Sequence, residues 1–182
     1  MNIITTHIEG VFIIEPRVFG DERGYFFESF SERNFADATG VDVRFVQDNE
    51  SCSHRGVLRG LHFQREPYAQ AKLVRVVSGR VLDVAVDIRP ESPTFGKYVM
   101  TELSGENHRQ MFIPKGFAHG YVVLEDDTIF QYKCDEYYHP DSEGGIAWND
   151  MQIGIEWPLS ESELILSEKD LKHPTLKELC EF

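Results

Sequence analysis

The sequence lacks the features that mark membrane, secreted and disulfide-bonded proteins. Its apolar runs all fall well short of the roughly 20 residues needed to span a bilayer. Residues 1–16 have neither the basic start nor the long apolar stretch of a secretory signal. The three cysteines, Cys52, Cys134 and Cys180, form no C-x-x-C pair and leave an odd count. We therefore expect a cytoplasmic protein with reduced thiols and no membrane association.

Positive charge is also scarce, with 18 Lys and Arg residues against 31 Asp and Glu residues and a formal net charge of −13. Non-specific binding to nucleic acid depends on broad neutralisation of phosphates, so we expect no nucleic-acid partner. One phosphorylated small molecule remains compatible with this charge if the fold gathers a few basic residues. The candidates are Arg23, Arg55, Arg59, Lys72 and Lys169.

A Gly-x-Gly-x-x-Gly fingerprint is absent too, so the sequence predicts no dinucleotide cofactor. Helix signals are few. One helix is predicted over residues 31–39, with Ser31 as its cap and Gly40 as its stop, and a short one over residues 174–180.

Short strand patterns, punctuated by glycine and proline, make up most of the chain. The clearest alternation covers residues 80–89, and Ser78-Gly79 is expected to form the hairpin turn before it. The pattern indicates a single all-β domain over residues 1–182, an antiparallel sandwich or barrel with a few short helices. The predicted strands cover residues 10–16, 24–30, 43–49, 57–63, 72–78, 81–89, 96–103, 110–113, 118–124, 128–134 and 145–148.

The segment from residue 47 to residue 72 departs from simple alternation, because it directs polar side chains into an apolar region. Residues two apart share a face of a strand, so Gly60, His62 and Gln64 are expected to point together, with Gly60 leaving room beside the imidazole. Polar groups inside an apolar container cost free energy unless something uses them. The segment therefore predicts a polar ligand site inside a barrel.

The stretch Pro114-Lys-Gly-Phe-Ala-His-Gly120 resembles the second signature of cupin jelly rolls, which favours a cupin over other all-β sandwiches. Metal-binding cupins carry a His-x-His pair in their first signature, whereas this chain has only Leu61-His62-Phe63. His62 and His119 supply two nitrogens, short of the three protein ligands of a catalytic zinc or iron site. We therefore interpret His119 as a hydrogen-bonding group and the site as free of metal.

Four side chains suit proton transfer without a metal. An imidazole titrates near neutral pH, so His62 is a candidate general base. Lys72 is placed to stabilise developing negative charge, Tyr132 to donate a proton, and Asp170 lies where a C-terminal loop can fold back. Taken singly, these residues are better explained as a core histidine, a surface lysine, a core tyrosine and a surface loop aspartate. It is their combination that favours proton-transfer chemistry.

The whole set of motifs resembles the dTDP-4-dehydrorhamnose 3,5-epimerase family, over residues 5–174. Single motifs are weak signals, but their ordered combination is specific. They are Phe19-Gly-Asp-Glu-Arg-Gly-Tyr-Phe-Phe-Glu28, Gln47-Asp-Asn49, Leu58-Arg-Gly-Leu-His-Phe-Gln64, Gln70-Ala-Lys-Leu-Val74, Gly79-Arg-Val-Leu-Asp83, Ser92-Pro-Thr-Phe-Gly96, Ile113-Pro-Lys-Gly-Phe-Ala-His-Gly120, Trp148-Asn-Asp150 and Ser167-Glu-Lys-Asp170.

By this resemblance, His62 is the base oriented by Asp170, Tyr132 is the acid on the opposite face of the sugar, and Lys72 steadies the enolate. The resemblance places Tyr138 where an aromatic ring stacks on thymine. The other residues implied to bind the sugar nucleotide are Arg23, Glu28, Gln47, Asp48, Asn49, Arg59, His119, Glu143 and Lys169, with Lys72 shared.

The implied substrate is dTDP-4-keto-6-deoxy-D-glucose, inverted at C3 and C5 without a cofactor by a homodimer that supplies rhamnose for cell-surface polysaccharide. Three alternatives remain open. Relatives invert only one carbon, a sister cupin group isomerises the 4-ketone to a 3-ketone, and a non-catalytic cupin only binds a sugar nucleotide. A metal-dependent dioxygenase is a more remote alternative.

Overall fold

The computed structural model describes residues 1–180, except for the side chain of Cys180. The C-terminal end of the predicted 1–182 domain and the predicted reduced thiol of Cys180 lie outside the described residues. The thiols of Cys52 and Cys134 are free. No helix within the described residues is long and apolar enough to cross a membrane.

Thirteen strands lie within the described residues, and most are short and end at glycine or polar turns. They are β1 Asn2–Thr5, β2 Phe12–Glu15, β3 Phe19–Asp21, β4 Gly24–Phe26, β5 Gln47–Ser53, β6 Leu58–Gln64, β7 Lys72–Ser78, β8 Arg80–Asp87, β9 Tyr98–Ser104, β10 Gln110–Ile113, β11 Phe117–Val123, β12 Thr128–Cys134 and β13 Glu143–Gly145. The helices are α1 Glu32–Thr39 and α2 Leu176–Cys180, and single 3₁₀ turns span Pro140–Ser142, Glu161–Glu163 and Asp170–Lys172.

These strands form two large antiparallel sheets and one hairpin. The six-stranded sheet has the order β1-β2-β10-β7-β12-β5, the five-stranded sheet has the order β13-β6-β11-β8-β9, and β3 pairs with β4. Residues of both large sheets share one buried cluster, including Val76 of β7, Ala85 of β8, Tyr121 of β11 and Phe130 of β12. The predicted all-β, cupin-like sandwich is confirmed.

The outer face of each large sheet is covered as well. The C-terminal segment lies on the five-stranded sheet, where Leu176 packs with Val84 and Val86 of β8. Helix α1 lies on the six-stranded sheet, where Phe35 packs with Leu73 and Phe112. Burial of apolar surface is worth about 25 cal/mol per Å², so these coverings stabilise the outer faces of both sheets.

The predicted cap and stop of α1 are confirmed by their hydrogen bonds. The side chain of Ser31 accepts from the backbone N–H of Asn34. Gly40 has a φ of 72°, and its N–H donates to the carbonyl of Ala36 at 2.8 Å. A left-handed residue after the last turn is the usual end of a helix, and glycine adopts it without steric cost.

Several strand boundaries differ from those predicted from the sequence. Residues 43–46 were expected to begin a strand, but Val43 and Phe45 pack against α1, and pairing starts only at Gln47. Of the predicted strand at residues 24–30, only residues 24–26 are in a strand, the second one of the β3–β4 hairpin, and β1 was not predicted at all. An apolar side chain that packs against a helix gives the same local pattern as one in a strand.

The predicted hairpin turn at Ser78-Gly79 is wrong. Strands β7 and β8 belong to different sheets, so this turn carries the chain from one sheet to the other. Gly79 has a φ of 80°, and a Cβ there would lie 2.2 Å from Oγ1 of Thr128. The glycine therefore permits a close crossing between sheets.

Candidate active site

Two walls of the sandwich face one another with different polar side chains. The histidine wall is His62 of β6 and His119 of β11, which are directly paired across the five-stranded sheet. The tyrosine wall is Lys72 of β7 and Tyr132 of β12, neighbouring strands of the six-stranded sheet. Three of the four predicted catalytic residues thus lie on these walls, His62 on one and Lys72 and Tyr132 on the other.

The fourth predicted catalytic residue, Asp170, comes from the C-terminal segment and contacts His62. Its Oδ1 lies 2.5 Å from His62 Nε2, and Ser167 Oγ donates to Oδ2 at 2.7 Å. Burial opposes ionisation of Asp170, but the hydrogen bonds from His62 and Ser167 outweigh it and lower the pKa of the carboxyl. The carboxylate thus holds the proton of His62 on Nε2, which leaves Nδ1 as the acceptor nitrogen.

The second imidazole of the histidine wall is held in the same way. His119 and Asp83 are both buried, and His119 Nε2 lies 3.0 and 3.1 Å from the two carboxylate oxygens of Asp83. Burial lowers the pKa of His119 and exceeds the opposing effect of Asp83. His119 is therefore a neutral, oriented hydrogen-bonding group.

The tyrosine wall has no such carboxylate. None of the side chains that the structure describes forms a hydrogen bond or an ion pair with the Lys72 ammonium, and its Nζ lies 5.8 Å from the centre of the Tyr132 ring. Burial lowers the pKa of Lys72, against the attraction of Cys134, Asp83 and Glu143. An unpaired ammonium on the tyrosine wall is a source of positive potential for an anion that forms between the two walls.

Burial also keeps the two acidic groups beside Lys72 protonated. It raises the pKa of Tyr132 to about 12 and the pKa of Cys134 to about 11. Because Tyr132 is a neutral phenol at neutral pH, it can donate a proton, and Cys134 is a thiol and no nucleophile.

A network of polar contacts links several predicted binding residues at the rim of the site. Gln47 donates from Nε2 to Asn49 Oδ1 at 3.0 Å and accepts from the backbone N–H of Tyr138 at 3.0 Å. The Tyr138 hydroxyl donates to Glu143 at 2.9 Å, and Lys169 forms an ion pair with the same carboxylate. Burial opposes ionisation of Glu143, but these two partners outweigh it and lower its pKa.

Arg59 lies at the other end of β6. Its Nη2 donates to Ser53 Oγ at 3.1 Å, and across the sheet it is paired with Tyr121, whose hydroxyl lies 2.9 Å from Ser51 Oγ. The guanidinium is exposed, and it is well suited to bind a phosphate.

Three predicted binding residues are not brought to these walls. Asp48 points away from Gln47 and Asn49, because neighbouring residues of a strand face opposite sides, and it pairs with Lys133 at 2.9 Å. Arg23 pairs with Asp21 inside the β3–β4 hairpin, and Glu28 accepts from Asn34 Nδ2 at 2.7 Å. Within a single chain, these three residues are separate from His62.

The role expected for Gly60 is corrected. A Cβ at Gly60 would lie 2.6 Å from Gly120 Cα and 2.8 Å from the carbonyl oxygen of His119. The missing side chain makes room for the backbone of β11, not for an imidazole. It therefore sets the close approach of the strands that carry His62 and His119.

Sequence reasoning missed the residues that hold the predicted ones in place. Asp83 orients His119, Ser167 holds Asp170, and Gln64 fixes the rim loop by donating to the carbonyls of Tyr68 and Tyr137. Two sequence features could have identified them. Asp83 is a charged residue within an otherwise apolar alternating strand, and residues 167–170 have the Ser-x-x-Asp spacing.

One set of three possible metal ligands lies close together within the described part of the chain. Ligand atoms of His62, Asp170 and His173 lie within 4.8 Å of one another. The pair considered from the sequence, His62 and His119, does not belong to a common set. Within that set, His62 Nε2 and Asp170 Oδ1 are in direct contact with each other at 2.5 Å.

Comparison with known proteins agrees with this architecture over nearly the whole chain. The family model of dTDP-4-dehydrorhamnose 3,5-epimerase matches residues 5–178. The dTDP-4-dehydrorhamnose 3,5-epimerase of Escherichia coli K12 is 59% identical over 179 residues, which are 98% of this chain and 96% of that protein.

Two crystal structures extend the comparison. The dTDP-6-deoxy-D-glucose-3,5-epimerase of Legionella pneumophila, in complex with dTDP-4-keto-L-rhamnose, is 54% identical with a TM-score of 0.93, covering 97% of this chain and 93% of that one. ChmJ, a 3′-monoepimerase from Streptomyces bikiniensis in complex with dTDP-quinovose, is 37% identical with a TM-score of 0.89. The match covers 94% of this chain and 86% of ChmJ. Similar chains thus include enzymes named for one inversion and for two.

Proposed function

The chain belongs to the dTDP-4-dehydrorhamnose 3,5-epimerase family, and we propose that its His62 and Tyr132 are the base and the acid of this reaction. The activity is that of an isomerase in the formation of dTDP-rhamnose, acting on dTDP-4-keto-6-deoxy-D-glucose. The observation that supports the assignment is the position of the two groups on opposite walls, with the base oriented by a carboxylate and the acid left neutral.

The chemistry needs one proton out and one proton in at each carbon. The C4 ketone acidifies the protons on C3 and C5, and Nδ1 of His62 takes one of them to leave an enolate. Tyr132 then protonates the same carbon from the other face, which inverts it. After both inversions the product is dTDP-4-keto-L-rhamnose. No electrons are gained or lost overall, so the balance needs no nicotinamide.

Abstraction by an imidazole needs help from the site. A ketone α-proton and an imidazolium differ by roughly a dozen pKa units, which costs about 16 kcal/mol at 1.36 kcal/mol per unit. Electrostatic stabilisation of the enolate must offset much of this cost. Lys72 supports that role, because its ammonium is near Tyr132 and has no partner of its own among the described residues.

The direction of proton return is what makes the reaction an inversion. A single group tends to give the proton back to the face from which it came, so a second group on the other face is required. Tyr132, with a pKa of about 12, keeps its proton until the enolate forms and is acidic enough to protonate carbon.

The rim residues suit the nucleotide part of the substrate. Arg59 can bind a phosphate of the diphosphate, and the exposed ring of Tyr138 offers a face for thymine stacking. The remaining binding candidates on the walls and rim are Gln47, Asn49, His119, Glu143 and Lys169.

We also infer a homodimer, supported by the exposed β3–β4 hairpin. Phe19 is 51% exposed, Tyr25 59% and Phe26 69%. Three large apolar side chains in one exposed hairpin are typical of an interface. In a dimer this hairpin could carry Arg23 and Glu28 to the site of the second copy, which would reconcile their predicted role with their distance from His62.

A complementation assay tests this arrangement. Arg23→Ala and His62→Ala homodimers are mixed, unfolded and refolded together. If Arg23 serves the other subunit, mixed dimers have one intact site and the mixture recovers about a quarter of wild-type activity. If Arg23 serves its own chain, or if the protein is a monomer, the mixture stays as inactive as its components.

The reaction itself is tested by proton NMR of dTDP-4-keto-6-deoxy-D-glucose with the protein in D₂O. Deuterium at both C3 and C5, with formation of the L-rhamno product, is expected. Deuterium at only one carbon would indicate a mono-epimerase, or a ketoisomerase if the ketone moves. Binding without exchange would leave only a non-catalytic sugar-nucleotide binder.

Two further expectations accompany this function. We propose a cytoplasmic location, because the substrate is a nucleotide sugar and the cysteines suit a reducing compartment. We also propose that residues 1–182 form a single domain, supported by the family match over residues 5–178 and by the core shared between the two large sheets.

A further inference from the structure

The C-terminal segment brings a second imidazole to the catalytic pair. Two hydrogen bonds hold this segment just after His173: the carbonyl of Pro174 accepts from Ala147 N–H at 2.8 Å, and Leu176 N–H donates to the Asp150 side chain at 2.7 Å. The ring of His173 lies against Gly145, where a Cβ would come within 2.3–2.5 Å of three ring atoms. The position of the ring is therefore fixed by the fold.

His173 contacts the same carboxylate oxygen that contacts the base. Its Nε2 lies 3.5 Å from Asp170 Oδ1, the atom that is 2.5 Å from His62 Nε2. The two imidazole rings are 5.4 Å apart and nearly perpendicular, at 77°. The carboxylate oxygen thus lies next to both rings.

The His173 nitrogen has no other partner. The side chain is only 10% exposed, and its Nε2 forms no hydrogen bond with any described residue. A buried polar atom without a partner destabilises the folded state, so native proteins rarely retain one without a use. A movement of a few tenths of an ångström would complete a hydrogen bond to Asp170 Oδ1.

We propose that His173 is a positioning residue, which donates its Nε2–H to Asp170 Oδ1 so that one carboxylate oxygen serves two imidazoles. This inference rests on the proposed role of His62 as the base. In this role His173 acts through Asp170 and needs no contact with the substrate or the reacting atoms. It acts by setting how strongly Asp170 holds the proton of His62.

The surrounding charges support a neutral, donating His173. The groups that face it are His62, Asp170 and Lys169, and Lys169 is paired in turn with Glu143. Burial lowers the pKa of His173, and the positive fields of His62 and Lys169 act in the same direction against Asp170. A neutral donor weakens the pull of the carboxylate on His62 without adding a second positive charge.

The consequence is a measurable shift in the acid limb of the pH profile. Without the second donor, Asp170 stabilises the imidazolium of His62 more strongly, so the base stays protonated to a higher pH. His173→Phe keeps an aromatic ring but removes the donor. His173→Gln places an amide N–H near the position of Nε2, and it is the matched control.

The experiment measures kcat/KM against pH for the wild type and both variants. We expect His173→Phe to move the acid limb upward by about half a pH unit, a threefold change in proton affinity, and His173→Gln to stay close to wild type. The proposal would be overturned by a change in the maximum of kcat/KM without a shift of the acid limb. An equal shift of the acid limb in both variants would overturn it as well. His173→Leu replaces the Phe variant if thermal unfolding shows that the larger ring is not tolerated.

A second readout does not depend on catalysis. Ring ¹H–¹⁵N NMR, with the His62 signal assigned by its loss in His62→Asn, follows the protonation of that ring in each variant. An upward shift of the His62 midpoint in His173→Phe supports the proposal even if His62 proves not to be the base. An unchanged midpoint refutes it even if the enzyme is an active epimerase.

Discussion

The two walls of the site differ in whether their polar side chains have carboxylate partners. On the histidine wall, each imidazole faces a buried carboxylate, Asp170 for His62 and Asp83 for His119. On the tyrosine wall, Lys72 and Tyr132 have no carboxylate partner among the described residues, and burial alone dominates their environment.

This difference separates orientation from proton affinity. A carboxylate fixes which ring nitrogen is protonated and where the other one points, so the histidine wall sets geometry. Burial without a partner lowers the pKa of Lys72 and raises the pKa of Tyr132 to about 12. On the tyrosine wall, burial therefore determines the protonation of the side chains. An inversion needs both: an oriented acceptor on one side, and a neutral donor beside positive potential on the other.

The largest effect is expected from removing the base. His62→Ala should lower hydrogen–deuterium exchange at both C3 and C5 by about 10³-fold or more, because general base catalysis contributes up to about 10⁴-fold. The measurement is NMR in D₂O under single-turnover conditions. Asp170→Asn keeps the ring but removes the orienting charge, so it should show a smaller loss at both carbons.

If exchange persists at either carbon in His62→Ala, the histidine wall is not the source of the base at that carbon. His119→Asn is the matched control, since His119 is interpreted as a hydrogen-bonding group. It should slow exchange at both carbons by much less than His62→Ala does.

The next effect concerns the unpaired charge of the tyrosine wall. Lys72→Met keeps the length of the side chain and removes the ammonium. It should lower kcat by about 10²–10³-fold, the usual loss of one group that stabilises a developing anion. It should also stabilise the fold by about 1–3 kcal/mol at pH 7, the usual cost of a buried polar group without a partner.

The pH dependence of unfolding tests whether the Lys72 ammonium destabilises the fold. Because the pKa of Lys72 is lowered in the folded state, the unfolded chain binds more protons between that pKa and 10.5, so wild-type stability rises with pH in this window. The advantage of the Met variant should therefore shrink toward pH 10.5 in urea unfolding. Lys133→Met is the control, since Lys133 is paired with Asp48 on the outer face of β12. A stability gain as large in the control would contradict the argument.

Removing the acid should separate exchange from inversion. Tyr132→Phe should keep deuterium exchange within about fivefold of wild type while net inversion falls about 10²-fold, because a general acid contributes about 10²–10⁴-fold. Both rates come from one NMR time course. Normal inversion in this variant would mean that the proton returns from another group, and that the two walls do not divide base from acid.

Local patterns in the sequence predicted the parts of the fold that local physics decides. Strands at residues 72–78, 110–113 and 128–134 have the predicted bounds, and the cap and stop of α1 were read from single residues. The turn at Ser78-Gly79 was misread, because a hairpin and a crossover use the same glycine geometry. Which sheet receives the next strand depends on contacts far along the chain.

Residue types alone indicated a polar site and candidate groups for proton transfer, but which residues meet in space could be predicted only by resemblance. His62 and Asp170 are 108 residues apart, and no pattern around either residue encodes their 2.5 Å contact. His173 was missed because a single histidine beside a proline carries no periodic signal. Asp48 was included because the motif Gln47-Asp-Asn49 is contiguous in sequence, although alternate residues of a strand face opposite sides.

The smallest expected effect comes from this alternation. Asn49→Ser should raise KM by about three- to tenfold, since a lost hydrogen bond costs about 0.5–1.5 kcal/mol. Asp48→Asn should change KM by less than about twofold, because its carboxylate faces Lys133 on the other side of the sheet. Initial rates over a range of substrate concentrations distinguish the two. An equally large effect at Asp48 would mean that the outer face of β5 also meets substrate, which one copy of the chain cannot arrange while Asn49 faces the inner walls.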